Sequence, residues 1–169
     1  MPNTLTIVER QILANQFRIL AEIEENGEHH ITSAEIIENG YTGQYHSALN
    51  VDREEVPIDI CDETSEILNM YRRINNAIAG LTEEQRDGLN LESIRFEGFD
   101  ANNDSHYHYM TFMVEKMDLW QEHNGNYLNS HSQFPLQKYR RMLVYQRELL
   151  SQQNWNIGLA EIEHFISLV

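Results

Sequence analysis

"ICDETSEILNMYRRINNAIAG", residues 60–80, decides the fold. Ile60, Thr64, Ile67, Tyr71, Ile74 and Ile78 recur at alternating spacings of four and three, which gathers them into one continuous stripe on a helix of 3.6 residues per turn. The helix stops near Gly80.

Reading outward in both directions gives helix almost everywhere. Thr6 with Glu9 has the spacing of a capping box, and Leu13, Phe17 and Leu20 recur at helical spacing beside Ile12, Ile19 and Ile23, so a first helix is predicted over residues 6–25. "NGEHH" breaks it. Thr32 with Glu35 has the same capping spacing, and Gly40 sits where a helix ends in the left-handed region, which predicts a short second helix over 33–39. Residues 81–92 are polar and read as a short helix or loop, and "IRFEGFD" alternates apolar with charged residues as a brief extended segment would. Beyond it, Met110, Met113, Val114 and Met117 predict a helix over 104–122, and "HNGNYLNSHSQF" reads as a turn-forming loop. Pro135 opens a helix in which Tyr139, Met142, Leu143, Gln146, Leu149 and Leu150 share a face, and a last helix holds Ile162, Phe165, Ile166 and Val169. The expected class is all-α: a multihelical single domain over 1–169, with at most one short extended segment near 94–99.

Composition narrows the functions. Twelve Lys and Arg stand against 27 Asp and Glu, a net charge of -15, so phosphate backbones and anionic membrane surfaces would be repelled over most of the surface. Neither nucleic acid nor a membrane is an expected partner. No apolar stretch approaches the roughly 20 residues needed to cross a bilayer, the start carries no secretory signal pattern, and the lone Cys61 suits a reducing cytoplasm.

The chemistry-bearing residues concentrate in "FEGFDANNDSHYHYMTFM", residues 96–113. Asp100, Asp104, His106 and His108 are the candidate metal ligands. On a helix, though, ligands converge from residues three or four apart, and His106 and His108 are two apart and diverge. The competing reading has Asp100 or Asp104 accepting hydrogen bonds from free N–H groups at a helix start, with Asn102 and Asn103 making the turn. "EIEH" gives Glu161 and His164 the spacing found in carboxylate-bridged di-iron bundles, but the chain holds no second copy, and a first-turn acid explains Glu161 equally well. Asp59, Asp62, Glu63 and Glu66 share a helical face, which reads as a solvated face opposite the apolar stripe. Cys61 lies among Asp59, Asp62 and Glu63, whose charge keeps it a resting thiol. No cofactor motif is present, and the common hydrolase, nucleotide-binding and protease signatures are missing.

"TSAEIIENGYTGQYHSALN" has the outline of a helix-turn-helix, yet no Lys or Arg stands between Arg18 and Arg53 while Glu22, Glu24, Glu25, Glu28, Glu35 and Glu38 do. DNA reading by this element is not expected. Lys138, Arg140, Arg141 and Arg147 are expected to pair with carboxylates, within the chain or on a neighbouring subunit.

"ANQFRILAEI", "EIIENGY", "ICDETSEILNMY", "FEGFD" with the later "YMTFMV", "QKYRRML" and "EIEHFI" resemble, in order and spacing, the YfbU family, a group of bacterial proteins without an established biochemical function. The resemblance implies a small, cytoplasmic, mostly helical protein and carries no catalytic residues with it. Two functional expectations follow. The first is a non-enzymatic interaction or regulatory protein that forms a homo-oligomer or meets a protein partner, through the row Met110, Met113 and Met117 with Trp120 and Tyr127 nearby; the alternative for the row is core. The second is a metal-dependent enzyme built on Asp100, Asp104, His106 and His108, joined by His123 or His131.

Overall fold

The computed structural model describes residues 4–51, 55–126 and 128–169, so Tyr127 lies outside the described residues. These hold eight α-helices and no strand: the protein is all-α. Two compact units form, Met1–Glu55 and Val56–Val169.

The first unit is built from α1 (Ile7–Ile23), α2 (Glu28–Asn39) and the single turn α3 (Tyr45–Leu49). The capping box holds α1 in place: the Glu9 N–H donates to Thr6 Oγ1 at 3.2 Å, and the Thr6 N–H donates to the Glu9 carboxylate at 2.7 Å. Small side chains, Ala14, Ala34 and Ala48, let the helices approach, and Ile37 and Tyr45 complete a modest core. Gly27 is required at the α1–α2 turn because a Cβ there would overlap the Ala21 carbonyl group. The second helix starts five residues before the expected 33, so Thr32 is helix interior and does not cap it. Burial overrides the local signal, since His30 is packed parallel to Phe17, ring centroids 5.9 Å apart, and helical geometry at 28–32 puts it there. Gly40 ends α2 at φ 71° as expected.

The second unit is organised around α4 (Ile58–Gly80), which buries Thr64, Ile67, Leu68, Met70, Tyr71 and Ile74. Ile60 and Ile78, at the two ends of the predicted stripe, are only partly buried. α5 (Glu83–Asp87) is one capped turn, and α6 (Ser105–Glu115), α7 (Phe134–Ser151) and α8 (Leu159–Ser167) pack on α4 or complete its core. On α7 the expected face is the buried one, with Tyr139, Met142, Leu143, Gln146 and Leu149 all inside. α6 is shorter than the predicted 104–122. After Glu115 the chain leaves the helix and takes left-handed φ at Asp118 (54°) and Trp120 (46°), which turns the indole inward to donate to Asn69 Oδ1 at 3.0 Å. A 3-10 turn at Gln121–His123 follows.

The extended segment near 94–99 pairs with no strand. Leu91–Ile94 is a 3-10 turn, and the chain then runs extended to a single parallel bridge between Phe99 and Asn129. Its backbone groups are satisfied elsewhere: Tyr139 Oη accepts from the Glu97 N–H at 2.9 Å and donates to the Gly98 carbonyl at 3.0 Å. This puts Phe96 and Phe99 into an aromatic cluster with Tyr71 and Tyr139, centroids 4.9–5.8 Å apart. Among the described residues no helix is long and apolar enough to cross a membrane.

Candidate functional site

Three polar clusters of the second unit gather titratable side chains. The first is the stretch after Phe99. Asp100 closes a tight turn, its carboxylate accepting from the Asn102 N–H at 2.9 Å and the Asn103 side-chain amide at 2.7 Å. The Asn103 amide, then the Asn102 N–H, holds the Asp100 carboxyl below its ordinary range. Asp104 occupies the N-cap position of α6, but its carboxylate does not cap the helix. It points back and accepts from the Asp100 N–H at 3.2 Å. Turn formation around Asp100 is thus the role of both aspartates, which corrects the expectation that Asp100 or Asp104 caps the helix.

The two histidines go opposite ways, as their spacing requires. His106 is 3% exposed, stacked on Phe99, and its Nε2 meets Glu63 at 2.8 Å. His108 is exposed. Asp100, Asp104, His106 and His108 therefore do not converge on a point, and the structure places the buried histidine in a different partnership, with a carboxylate and Arg140.

That partnership is the second cluster. Arg140 grips Glu63 with Nε at 2.9 Å and Nη2 at 2.8 Å, and Glu63 in turn holds His106. Arg140 chiefly, and His106 after it, pull the Glu63 carboxyl below its usual range. Arg147 pairs with Glu66 one turn along, and Lys138 pairs with Glu97. The acidic face of α4 is not simply solvated: it is the counterpart of the basic face of α7. Lys138, Arg140 and Arg147 pair with carboxylates as expected, whereas Arg141 donates to the Leu168 carbonyl at 3.0 Å; the pairing between the two faces was not foreseen, because Arg147 and Glu66 are some 80 residues apart in sequence.

The third cluster lines an open groove of about 1360 Å³ bordered by Phe96, Glu97, Glu122, His123, Lys138 and Arg141. Lys138 is 7% exposed, its ammonium donating to the Ser93 and Arg95 carbonyls at 3.3 and 3.4 Å besides Glu97. His123 is buried beside Phe96 with Nε2 unpaired, while the adjacent Glu122 is held by two hydrogen bonds from Arg72 at 2.6 and 2.8 Å. Burial pushes His123 below its ordinary pKa of 6.5. The unfolded chain then takes up a proton near pH 6.5 that the folded chain resists, so this group's contribution is intact above that pH and stability falls as pH drops below it. We expect the wild-type melting temperature to decline between about pH 7 and pH 5 and the decline to be smaller in His123→Phe, measured by circular dichroism.

"EIEH" resolves into separate roles. Glu161 accepts from the Gly158 N–H at 2.8 Å, which lowers its pKa, and His164 packs against Tyr145 at 4.2 Å. Among the described residues one further group of potential metal donors, Glu24, His29 and His30, comes together, and none of the three was a sequence candidate. The signal available was the adjacent pair of histidines after a glycine turn.

Fold and site together define an all-α protein in which His106 and Lys138 are buried in ion pairs and Asp100 and Asp104 in a turn. The chain belongs to the YfbU family: the family model, described as the YfbU domain, matches residues 3–167. It is similar to UPF0304 protein MJECS11 of Methanocaldococcus jannaschii, 30% identical over 144 residues that cover 82% of this chain and 85% of the relative. A UPF0304 protein of Actinobacillus succinogenes is 22% identical over 166 residues, covering 96% and 98%. The family is one of uncharacterised function.

Proposed function

We propose that this is a cytoplasmic, non-enzymatic interaction protein that associates with a second copy of itself through α1. The observation that carries the reading is an exposed apolar stripe on that helix: Val8 (67% exposed), Ile12 (52%), Ile19 (61%) and Ile23 (70%). At 100° per residue these four lie within about 60° of one another. They are also symmetric about the midpoint between Asn15 and Gln16. An antiparallel copy related by a two-fold axis through that point sets Val8 against Ile23 of the other chain and Ile12 against Ile19, with the two amide side chains crossing at the centre. The pattern is self-complementary, which a surface evolved for an unrelated partner has no reason to be.

The methionine row gives less support. Met110 is in the core, Met113 packs against it, and Met117 alone is exposed. A stripe of four aliphatic residues is smaller than a standard interface of about 800 Å² per partner, so the dimer expected is a micromolar one. The formal charge of -15 supports a partner other than nucleic acid. That one family model runs through both compact units supports a single-domain organisation.

Sedimentation velocity over a concentration series tests the reading. The wild type is expected to dimerise at tens of micromolar, and Ile12→Glu with Ile19→Glu to remain monomeric, since the substitutions put four carboxylates around the axis. A monomeric wild type at that concentration would refute it, and so would a dimer indifferent to the two substitutions.

A further inference from the structure

The turn between α1 and α2 carries a chemistry that self-association does not use. Glu24, His29 and His30 present donor atoms that all lie within 4.8 Å of one another. The turn that gathers them is tight. Glu24 is the last residue held to α1, its N–H donating to the Leu20 carbonyl, and the close fit of Gly27 on Ala21 brings the start of α2 back beneath it. His29 and His30 then sit in the first turn of α2 with ring centroids 3.8 Å apart.

Hydrogen bonding fixes which nitrogens are available. His29 Nδ1 lies 3.0 Å from the Asn26 carbonyl, which can only accept, so Nδ1 carries the proton and Nε2 keeps its lone pair. A backbone carbonyl on one ring nitrogen is the usual way a protein orients the other toward a metal. His30 Nε2 lies 2.9 Å from the Glu24 carboxylate, to which it donates in the free protein, its ring fixed by burial against Phe17, so a bound cation takes the place of that proton and releases it to solvent. One nitrogen of each histidine and a Glu24 carboxylate oxygen thus lie within 4.8 Å of one another, a gap that an ion at about 2.0–2.2 Å from each donor would close with side-chain rotation.

The local field favours a cation. Glu22, Glu25 and Glu28 flank the cluster, and no Lys or Arg stands between Arg18 and Arg53. The positive end of the α2 dipole opposes a cation, and the carboxylates within a turn of the cluster act against it. We propose that Glu24, His29 and His30 form a binding site for a first-row transition cation of the zinc class, with a fourth position left to water. Two imidazoles and one carboxylate are too nitrogen-rich for calcium or magnesium and suit zinc, cobalt, nickel or copper.

The test uses full-length protein with no affinity tag, stripped with chelator. Zinc titration by calorimetry is expected to show one equivalent bound in the micromolar range or tighter, with a rise in melting temperature. Cobalt is expected to give the absorption bands of a four-coordinate site. His29→Ala and Glu24→Gln each change an exposed residue and are expected to leave the circular dichroism spectrum unchanged while weakening zinc at least about tenfold. His108→Ala, an exposed histidine elsewhere, is expected to leave it unaltered. Failure of the wild type to bind zinc would overturn the proposal. So would binding that His29→Ala and Glu24→Gln leave intact, or that His108→Ala removes.

Discussion

Gly98→Ala is expected to cost about 3–6 kcal/mol, against about 1 kcal/mol for a typical substitution. Gly98 sits at φ 84°, and a Cβ there would overlap the carbonyl group of Leu128. The left-handed backbone by itself accounts for about 1–3 kcal/mol in a residue with a side chain. The overlap is with main chain, so nothing flexible can give way. Relief requires separating the Phe99 segment from the Leu128 segment, which breaks the bonds from the Phe99 N–H to the Leu128 carbonyl (3.1 Å) and from the Ser130 N–H to the Phe99 carbonyl (3.0 Å). Each is worth about 0.5–1.5 kcal/mol. Displacing Gly98 also strains its hydrogen bond from Tyr139 and the packing of Phe99, both in the centre of the aromatic cluster. Urea denaturation should show the midpoint falling with little change in slope. A loss under 1 kcal/mol would mean that the close approach is not a constraint.

Glu63→Ala is expected to cost about 2–4 kcal/mol. The main part comes from His106, already lacking a partner at Nδ1, which would lose its remaining one inside the protein, a penalty of about 1–3 kcal/mol. The Arg140 side chain is 52% exposed, so its share is that of a surface pair, about 1 kcal/mol or less. Glu63→Gln keeps an acceptor for one partner and is expected to lose roughly half as much. The sign of the pH dependence follows from the lowered pKa. The Glu63 contribution is present above its unfolded value of 4.5 and is lost as pH falls through the folded value, so the gap between wild type and Glu63→Gln should narrow in acid. A gap constant from neutral pH to about pH 3 would show that the charge plays no part.

Most of the helical architecture was legible in the sequence. The stripe on α4, the face of α7, the Thr6 capping box and the Gly40 terminus all depend on residues within a few positions of one another, and such signals survive in any tertiary context that offers an apolar surface. Exposure also left a mark: the absence of Lys and Arg from 19–52 is a property of composition alone.

What the sequence by itself determined is therefore the class of the fold, the apolar faces of α4 and α7, and the divergence of His106 from His108. Tertiary structure decided the rest, through contacts between residues distant in the chain. His30 draws α2 back to Glu28 because Phe17 offers it a face to pack on. Trp120 ends α6 early because its indole finds Asn69, 51 residues away. The residues near 94–99 extend without forming a sheet because the hydroxyl of Tyr139 and the loop at Leu128 satisfy their backbone groups. Asp104 turns from its helix to the Asp100 N–H, and Glu63 takes both His106 and Arg140. In each case a hydrogen bond or an aromatic contact worth about a kilocalorie outweighs a local preference of a few tenths, and no local pattern records where that partner stands.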